Sequence, residues 1–209
     1  MLDAMMGTVE AVAPPPGLTL ESVVITELRG PMTRQVRDAA LAEGGEAAWE
    51  SLLAGVSEPC RRTFSKPIGL YEWIPAEHSR ELSLAFMATA DPAYTYRRGL
   101  ESAREQLTVV NRWILRLMSP GFLLQNMPRL FSFYYRGGQV VVDRLEPGSA
   151  KVSLWADAFY DIWYERGLPG WIQGALALAG AKDLSIRYIP PEGEGLLAFR
   201  HGYEIRWQA

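Results

Sequence analysis

Cys60, His78 and His201 are the side chains of this sequence best suited to nucleophilic or acid–base chemistry, because the chain has one cysteine and two histidines. Neither histidine shares a recognisable catalytic motif with the cysteine, which favours a core thiol over a nucleophile. Both histidines are expected to be ordinary surface or hydrogen-bonded residues. The sequence also lacks the P-loop, G-x-G-x-x-G, H-E-x-x-H and G-x-S-x-G strings. It therefore predicts a protein that is not an enzyme and has no catalytic residues.

Three carboxylates, Asp157, Asp161 and Glu165, would share one face if residues 157 to 165 are helical. Carboxylate oxygens in that arrangement could hold a hard metal ion. The alternative is that acidic residues in a first helical turn stabilise the helix dipole and face water. We favour the alternative, and we predict no metal and no cofactor.

The composition excludes several classes of partner. The formal net charge is −3, with both signs mixed along the chain, so no broad positive field attracts nucleic acid. The apolar run GWIQGALALAG is far shorter than the ~20 residues of a membrane span. We expect a soluble, cytoplasmic protein with a flexible leader over residues 1–17 and a single domain over residues 18–209.

Helices dominate the first part of that domain, about residues 31–135. LTLESVVITEL has the β-branched content of a strand, and Gly30-Pro31 ends it. Helices are then predicted over 34–42 and 46–54, separated by Gly44-Gly45, and over 75–90. Asp91-Pro92 starts the longest helix. One face of that helix is apolar at spacings of three and four, at Leu100, Ala103, Leu107, Val110, Ile114 and Leu117.

The last part, about residues 138–207, changes to an extended pattern. QVVVDRL and AKVSLWA flank the turn EPGS and predict a β-hairpin. A helix from Pro169 to Gly180 follows, and its small residues Gly170, Gly174, Ala175 and Ala177 would let it lie close against a sheet. LSIRYIP and LLAFRHGYEIRW form a second extended pair. The sequence thus predicts an α+β fold, in which a helical N-terminal half packs on a C-terminal antiparallel sheet of ββαββ order.

Aromatic side chains are abundant, with seven Trp and nine Tyr. Most must be core, but a cluster of them can also line a pocket or an interface, where one end is apolar and the other wet. The segment WADAFYDIWYERGLPGW is the strongest interface candidate, since exposed apolar patches usually mark interaction sites. The predicted interface residues are Trp155, Phe159, Trp163, Tyr164 and Trp171.

Several strings together resemble a known group of sensors. GGEAAWESLLAG, YEWIP and the ββαββ end reached through LLQNMPRLF look like the haem-based nitric-oxide/oxygen-binding (H-NOX) sensor domains. The outline is also similar to vinyl-reductase-like ligand sensors and transport-particle subunits. More closely, RLFSFYYRGGQVVV, GLPGWIQGALALAGAKDLSIRY and YEIRW resemble a family of unknown function that is expanded in myxobacteria. The resemblance covers roughly residues 30 to 207.

The resemblance implies the fold of the H-NOX domains without a bound haem. In the haem-binding relatives a leucine–histidine step before the first sheet strand supplies the iron ligand, and Asn126-Met127-Pro128 takes that place here. Those relatives also hold the haem propionates with a Tyr-x-Ser-x-Arg motif. The corresponding region, KVSLWADAFYDIW, lacks it. We therefore expect a haem-free chain of the same fold.

Loss of haem leaves space that is either filled by larger side chains or occupied by another molecule. Filling is favoured because the sequence brings bulky residues to the junction, namely Trp113, Met118, Phe122, Met127 and Phe131. The sequence thus predicts first a non-catalytic regulatory or adaptor module acting through a protein partner or as a homo-oligomer. The alternative is a sensor of a small apolar or acyl-type ligand bound near Tyr94, Arg97 and Trp113, and an enzyme of unknown reaction ranks third.

Overall fold

The helical half comes first in the chain, in a computed structural model that describes residues 13–88, 93–117, 119–157 and 162–208. For residues 106 and 108–117 it describes the backbone alone. Residues 1–12 of the predicted leader lie outside this range. The described helices of this half are α1 (Gly30–Ala54), α2 (Glu58–Phe64), α3 (Ala76–Met87), α4 (Tyr94–Leu117), α5 (Pro120–Gln125) and α6 (Met127–Tyr134).

A small antiparallel sheet ties the helical half together. It has the order β2-β1-β3, and Leu28 of the central strand pairs with Ile74 on one side and with Tyr135 on the other. Its strands come from distant parts of the sequence, so the sheet fixes the start of α1 beside the ends of α6 and of the loop before α3. The three strands are β1 (Glu27–Arg29), β2 (Trp73–Pro75) and β3 (Tyr135–Arg136).

The C-terminal sheet is antiparallel with the order β4-β5-β7-β6, and a helix connects its second and third strands along the chain. This is the predicted ββαββ arrangement, and it confirms the α+β fold class. Its elements are β4 (Gln139–Glu146), β5 (Ser149–Trp155), a π-helical turn (Trp163–Gly167), α7 (Leu168–Leu178), β6 (Lys182–Ile189), a 3-10 turn (Gly195–Phe199) and β7 (Arg200–Gln208).

The strand predicted over LTLESVVITEL is wrong for most of its length. Only its last two residues, Glu27 and Leu28, belong to β1. Upstream, the Thr19 amide donates to Ser22 Oγ at 2.8 Å, and the Ser22 amide donates to Thr19 Oγ1 at 3.1 Å. These local side-chain bonds close a turn, and they outweigh the strand preference of the β-branched residues nearby.

Glycine and proline mark most helix boundaries as predicted. The break at Gly44-Gly45 is confirmed, because both residues have non-helical backbone angles inside α1 and Gly45 has φ 66°. Ser119 caps α5 by accepting the Phe122 amide at 3.2 Å. Pro128 lies in the first turn of α6, where its missing N–H costs nothing, so it begins a helix. Asp91-Pro92 and residues 89–90 lie outside the described ranges.

Helix α7 packs on two neighbours at once. Ile172, Ala175 and Leu176 are almost fully buried in the core cluster that includes the C-terminal sheet. The glycines face α4 instead, because a Cβ at Gly170 would lie 2.2 Å from the Tyr96 carbonyl oxygen and one at Gly174 would lie 2.8 Å from that of Leu100. The predicted role of these glycines against the sheet is therefore wrong. They let two helix backbones approach each other closely.

The interior consists of two clusters of buried side chains. The larger one lies between α4, α7 and the C-terminal sheet, and includes Leu154, Ile172 and Tyr203. The smaller one lies among α1, α2 and α3, and includes Trp49 and Phe64. The boundary between these clusters is where the fold leaves space.

Candidate functional site

A cavity of about 80 Å³ lies where the two clusters meet. Helices α1, α3 and α4 form one side, and β1, β3 and the π-helical turn form the other. We call it the junction cavity. Its wall is mainly apolar, and its apolar residues are Leu28, Met32, Val36, Ala39, Phe86, Met87 and Trp163.

Among the hydrogen-bond donors of this wall, three are buried without a described partner. Gln35 Nε2, Tyr94 Oη and Arg98 Nη2 are buried and have no hydrogen-bond partner among the residues that the structure describes. A buried polar atom without a partner typically costs about 1–3 kcal/mol. Three such atoms around one cavity are the feature of this protein that most resembles a binding site.

Tyr94 and Arg98 are four residues apart on α4, so they share one face of the helix. The Tyr94 ring packs against Phe86 with centroids 5.2 Å apart, and burial raises the pKa of its hydroxyl to about 12. The phenol therefore stays protonated and can donate. Arg98 is 15% exposed, and its Nη1 pairs with Glu101 at 2.9 Å and with Glu105 at 3.7 Å. Its Nη2 is buried and takes part in neither of these ion pairs.

A second cavity of about 60 Å³ lies behind the first, and we call it the rear cavity. Met32, Tyr135 and Trp163 line both cavities, so these three side chains form the partition between them. The rest of its wall lacks any charged residue among those described, and consists of Met127, Leu130, Phe131, Tyr134, Val140, Leu168 and Trp171.

A polar cleft of about 250 Å³ lies apart from these cavities, between α1 and the loop after α2. We call it the outer cleft. It is lined by the basic residues Arg34, Arg37 and Lys66, together with Asp38. Arg34 Nε donates to the Ile68 carbonyl oxygen at 2.9 Å, and Lys66 pairs with Glu72 at 3.3 Å. Two of the three basic side chains, Arg34 and Lys66, are therefore already bound to other groups of the protein.

In sequence the chain is remote from characterised proteins, since no protein-family model and no curated protein matches it. Its architecture has clear relatives. An unliganded Fe(II) H-NOX mutant from K. algicida gives a TM-score of 0.67 at 10% identity, over 87% of this chain and 97% of that one. A mutant of T. tengcongensis H-NOX gives 0.60 at 14% identity, over 86% and 95%. An oxygen-binding H-NOX domain related to soluble guanylate cyclases gives 0.54 at 13% identity, over 86% and 91%.

The chain has the H-NOX fold. The fold predicted from the resemblance is thereby confirmed. The membership in a myxobacterial family stays a prediction.

The residues around the cavities of this H-NOX fold do not fit haem. Haem iron is usually held by an imidazole or a thiolate, yet neither histidine nor the cysteine lines either cavity. The junction cavity, at about 80 Å³, is also smaller than the ~150 Å³ cavity that admits benzene. Haem is several times larger than benzene. Met127 begins α6 and is buried beside the rear cavity, where it supplies apolar surface.

The histidines and the cysteine have structural partners, as predicted. His201 is 1% exposed in β7 and its Nδ1 lies 2.8 Å from the Tyr188 hydroxyl. His78 Nδ1 lies 2.9 Å from Thr63 Oγ1. Cys60 is fully buried in the smaller cluster, and burial raises the pKa of its thiol to about 12. The interpretation of Cys60 as a core thiol is confirmed.

The three carboxylates do not form a common site in the part of the chain that is described. Asp157 accepts the Ile25 amide at 3.4 Å, and Glu165 lies 3.6 Å from Arg166 in the π-helical turn. Asp161 lies outside the described residues. Among the described residues, no group of metal-ligating side chains is close enough to hold an ion.

The predicted ligand-binding residues are placed correctly only in part. Tyr94 lines the junction cavity, but Arg97 is exposed and does not. The cavity takes Arg98 instead, because the step of four residues from Tyr94 lies on the inward face of α4. The side chain of Trp113 lies outside the described set. Gln35 is far from α4 in sequence, and no local pattern could have pointed to it.

Two of the predicted interface residues are buried in the monomer, which is a correction. Trp155 is 0% exposed and Tyr164 is 3% exposed. Trp155 is the last residue of β5, and Tyr164 lies in the π-helical turn, where its carbonyl oxygen accepts the Tyr203 hydroxyl at 2.9 Å. Trp163 and Trp171 are half-buried around the rear cavity. Phe159 lies outside the described residues.

The predicted filling of the junction is incomplete. Phe131 and Met127 do pack into the space, beside the rear cavity. Phe122 does not, because it is 49% exposed. Met118 and the Trp113 side chain lie outside the described residues. Two cavities therefore remain between the described side chains.

An exposed aromatic stack lies on the small sheet. Arg29 places its guanidinium carbon 4.4 Å from the Trp73 ring centroid and 4.9 Å from that of Phe133. Its Nη1 donates to the Tyr71 carbonyl oxygen at 3.1 Å. Tyr71 is 67% exposed and Phe133 is 46% exposed. We call these four residues the Arg29 stack.

Proposed function

We propose that this protein is a non-catalytic, haem-free sensor module that binds a small molecule in the junction cavity. The observation that carries the proposal is a set of three buried donors without a described partner in a mainly apolar cavity wall. Small-molecule binding sites are typically concave and mostly apolar, with a few polar groups that point toward the ligand. The H-NOX fold supports the proposal, since the cavity lies at the junction between its helical half and the rest of the molecule.

The structure favours this function over a purely filled, partner-binding module. Filling would leave the interior close-packed, whereas Gln35, Tyr94 and Arg98 keep donors without a described acceptor. Natural proteins rarely bury several such atoms together. A ligand with acceptor oxygens would satisfy them. The haem-free part of the proposal is supported by the lining of the two cavities, which contains neither histidine.

The proposal predicts that wild-type protein purified from cells carries a small ligand at up to one equivalent. Molecules released on denaturation are identified by mass spectrometry. Ala39→Leu adds three carbons to the wall of the junction cavity and is expected to reduce the released ligand several-fold, because the space is only about 80 Å³. Ala47→Leu is the matched control on the exposed face of α1, and it should release as much as wild type.

Two outcomes would contradict this prediction. Equal amounts of ligand from Ala39→Leu and wild type, or no ligand from either, would remove the junction cavity as the site. A haem-sized adduct, or a sharp shifted Soret band that survives desalting after incubation with hemin, would contradict the haem-free assignment.

A second candidate function, contact with a protein partner, is favoured by the Arg29 stack. We propose that a second copy of the chain docks there, through the rigid and exposed aromatic surface that the stack presents. The stack takes over the interface role that the sequence assigned to residues 155–171, since Trp155 and Tyr164 are buried.

This candidate predicts a concentration-dependent dimer in light scattering coupled to gel filtration. Tyr71→Ser removes the most exposed ring of the stack and is expected to weaken the dimer at least fivefold without loss of folding, because Tyr71 is 67% exposed. Leu197→Ser removes a 39% exposed apolar side chain elsewhere and serves as the control. A wild-type chain that stays at 23.3 kDa at all concentrations would eliminate self-association.

A further inference from the structure

We propose that the ligand is a monocarboxylate with a short hydrocarbon chain. Its carboxylate binds Gln35, Tyr94 and Arg98 in the junction cavity, and its chain passes the partition into the rear cavity. This inference rests on the proposed function, because it names the chemical class of ligand for the same site.

The head-group assignment follows from the donors. Gln35 Nε2, Tyr94 Oη and Arg98 Nη2 all donate, and none of them has a described acceptor. A carboxylate accepts several hydrogen bonds through its two oxygens, and bonds to a guanidinium are about twice as strong as neutral ones. Arg98 is the one charged residue among the described lining residues of the junction cavity. An anion is therefore the group that this wall stabilises best.

The acidic neighbours of Arg98 leave this assignment intact. Glu101 and Glu105 have side chains 53% and 58% exposed, so water screens their attraction for the guanidinium. Both contact Nη1, on the solvent side. The buried Nη2 is in a drier environment, where a hydrogen bond to an anion is stronger.

The hydrocarbon chain of the ligand is inferred from the volumes of the two cavities and from the apolar wall of the rear cavity. At about 30 Å³ for a water-sized group, the junction cavity of about 80 Å³ holds about three such groups. That is enough for a carboxylate and little more. The rear cavity adds about 60 Å³ with an apolar wall. On the same measure the rear cavity holds about two carbons, so an acid of about three carbons fills both spaces as they stand. A longer chain, such as that of hexanoate, needs the room that a shift of the partition provides.

The partition can admit a chain without disruption of the sheet. Met32 is unbranched and flexible, and such side chains adapt readily to their neighbours. Trp163 begins the π-helical turn, a type of local irregularity that is frequent at functional sites. A sideways shift of these two side chains would join the cavities. The size of the opening at the partition would then determine which lengths of hydrocarbon chain can bind.

The test measures the affinity of purified, ligand-stripped protein for hexanoate by calorimetry, beside 1-hexanol and hexanamide. Hexanoate is expected to bind at least tenfold more tightly than either neutral analogue. Arg98→Gln should weaken hexanoate binding at least tenfold, whereas the adjacent and exposed Arg97→Gln should change it less than twofold. Tyr94→Phe deletes one donor with little change of shape, and is expected to weaken binding about fivefold. It also serves as the test if Arg98→Gln fails to fold.

Chain length tests the second half of the inference. Trp163→Ala removes most of one side of the partition, and should shift the preference from hexanoate toward decanoate. Unchanged preference in a folded Trp163→Ala protein would place the chain outside the rear cavity and overturn that half.

The remaining outcomes separate the ligand class from the proposed function. Equal affinity for hexanol and hexanoate, or no affinity for hexanoate in a protein that releases another ligand from cells, overturns the carboxylate and leaves the sensor function standing. Hexanoate binding that is lost in Arg37→Gln and kept in Arg98→Gln would move the anion to the outer cleft, and overturns the site. No binding of any probe together with no released ligand overturns both.

Discussion

Gly170→Ala is expected to destabilise the protein by about 3 kcal/mol, and to lower its melting temperature by about 10 °C. The new Cβ would lie 2.2 Å from the Tyr96 carbonyl oxygen, which belongs to the backbone of α4 and cannot rotate away. Helices α4 and α7 must separate to relieve that contact. Alanine has the higher helix propensity by about 1 kcal/mol, which offsets only part of the loss. Urea denaturation at neutral pH measures the effect.

Gly121→Ala is the matched control for this prediction. Gly121 lies in α5, and its nearest neighbouring atoms would be 4.0 Å from the new Cβ. We expect a change between zero and about 1 kcal/mol of added stability. If both variants are equally stable, the close approach of α4 and α7 is not a structural requirement.

The stability of the protein is expected to fall by about 2 kcal/mol from pH 7 to pH 5 through His201 alone. Burial lowers the pKa of this histidine from 6.5 to about 4. Its neutral ring is hydrogen-bonded to the Tyr188 hydroxyl, with 2.8 Å between Nδ1 and Oη. Between those two pKa values the unfolded chain binds the proton and the folded chain does not. Acidification therefore favours unfolding.

The His201→Gln variant should lose this component of the pH dependence, whatever its absolute stability. His78→Gln keeps His201 and should retain it. Denaturation at pH 7, 6 and 5 decides the matter, since Glu72, Glu81 and Glu204 have pKa values below their usual range and contribute mainly at lower pH. An unchanged slope in His201→Gln would show that the ring accepts a proton within the fold.

The two cavities connect these stability arguments to function. The glycine contacts hold α4 against α7, and α4 carries Tyr94 and Arg98 into the wall of the junction cavity. The π-helical turn that precedes α7 carries Trp163 into the partition. A ligand that moved Trp163 would act on the start of α7. Binding could then reach the C-terminal sheet through packed elements rather than through a flexible loop.

Among the described residues, no helix combines the length and apolarity needed to cross a membrane.

The sequence by itself determined the order of the elements in this protein. The EPGS turn between two β-branched runs predicted the hairpin β4–β5, and Gly44-Gly45 predicted the interruption of α1. Such signals are local, because a glycine or proline restricts or frees its own backbone wherever it stands. The α+β class followed from the same kind of signal, whereas the interpretation of Cys60 followed from the lack of a catalytic motif that joins it to a histidine.

Only the tertiary structure decided which side chains meet. Gln35 and Arg98 come from different helices, and they line one cavity because the small sheet and the α4–α7 contact fix how those helices approach. Arg97 and Arg98 are neighbours in sequence but point in different directions around α4. Arg98 therefore lines the cavity, whereas Arg97 is exposed. Trp155 and Tyr164 are aromatic residues of the kind found at interfaces, yet both are buried within the monomer. Burial depends on what packs against a residue, and that partner is distant in sequence.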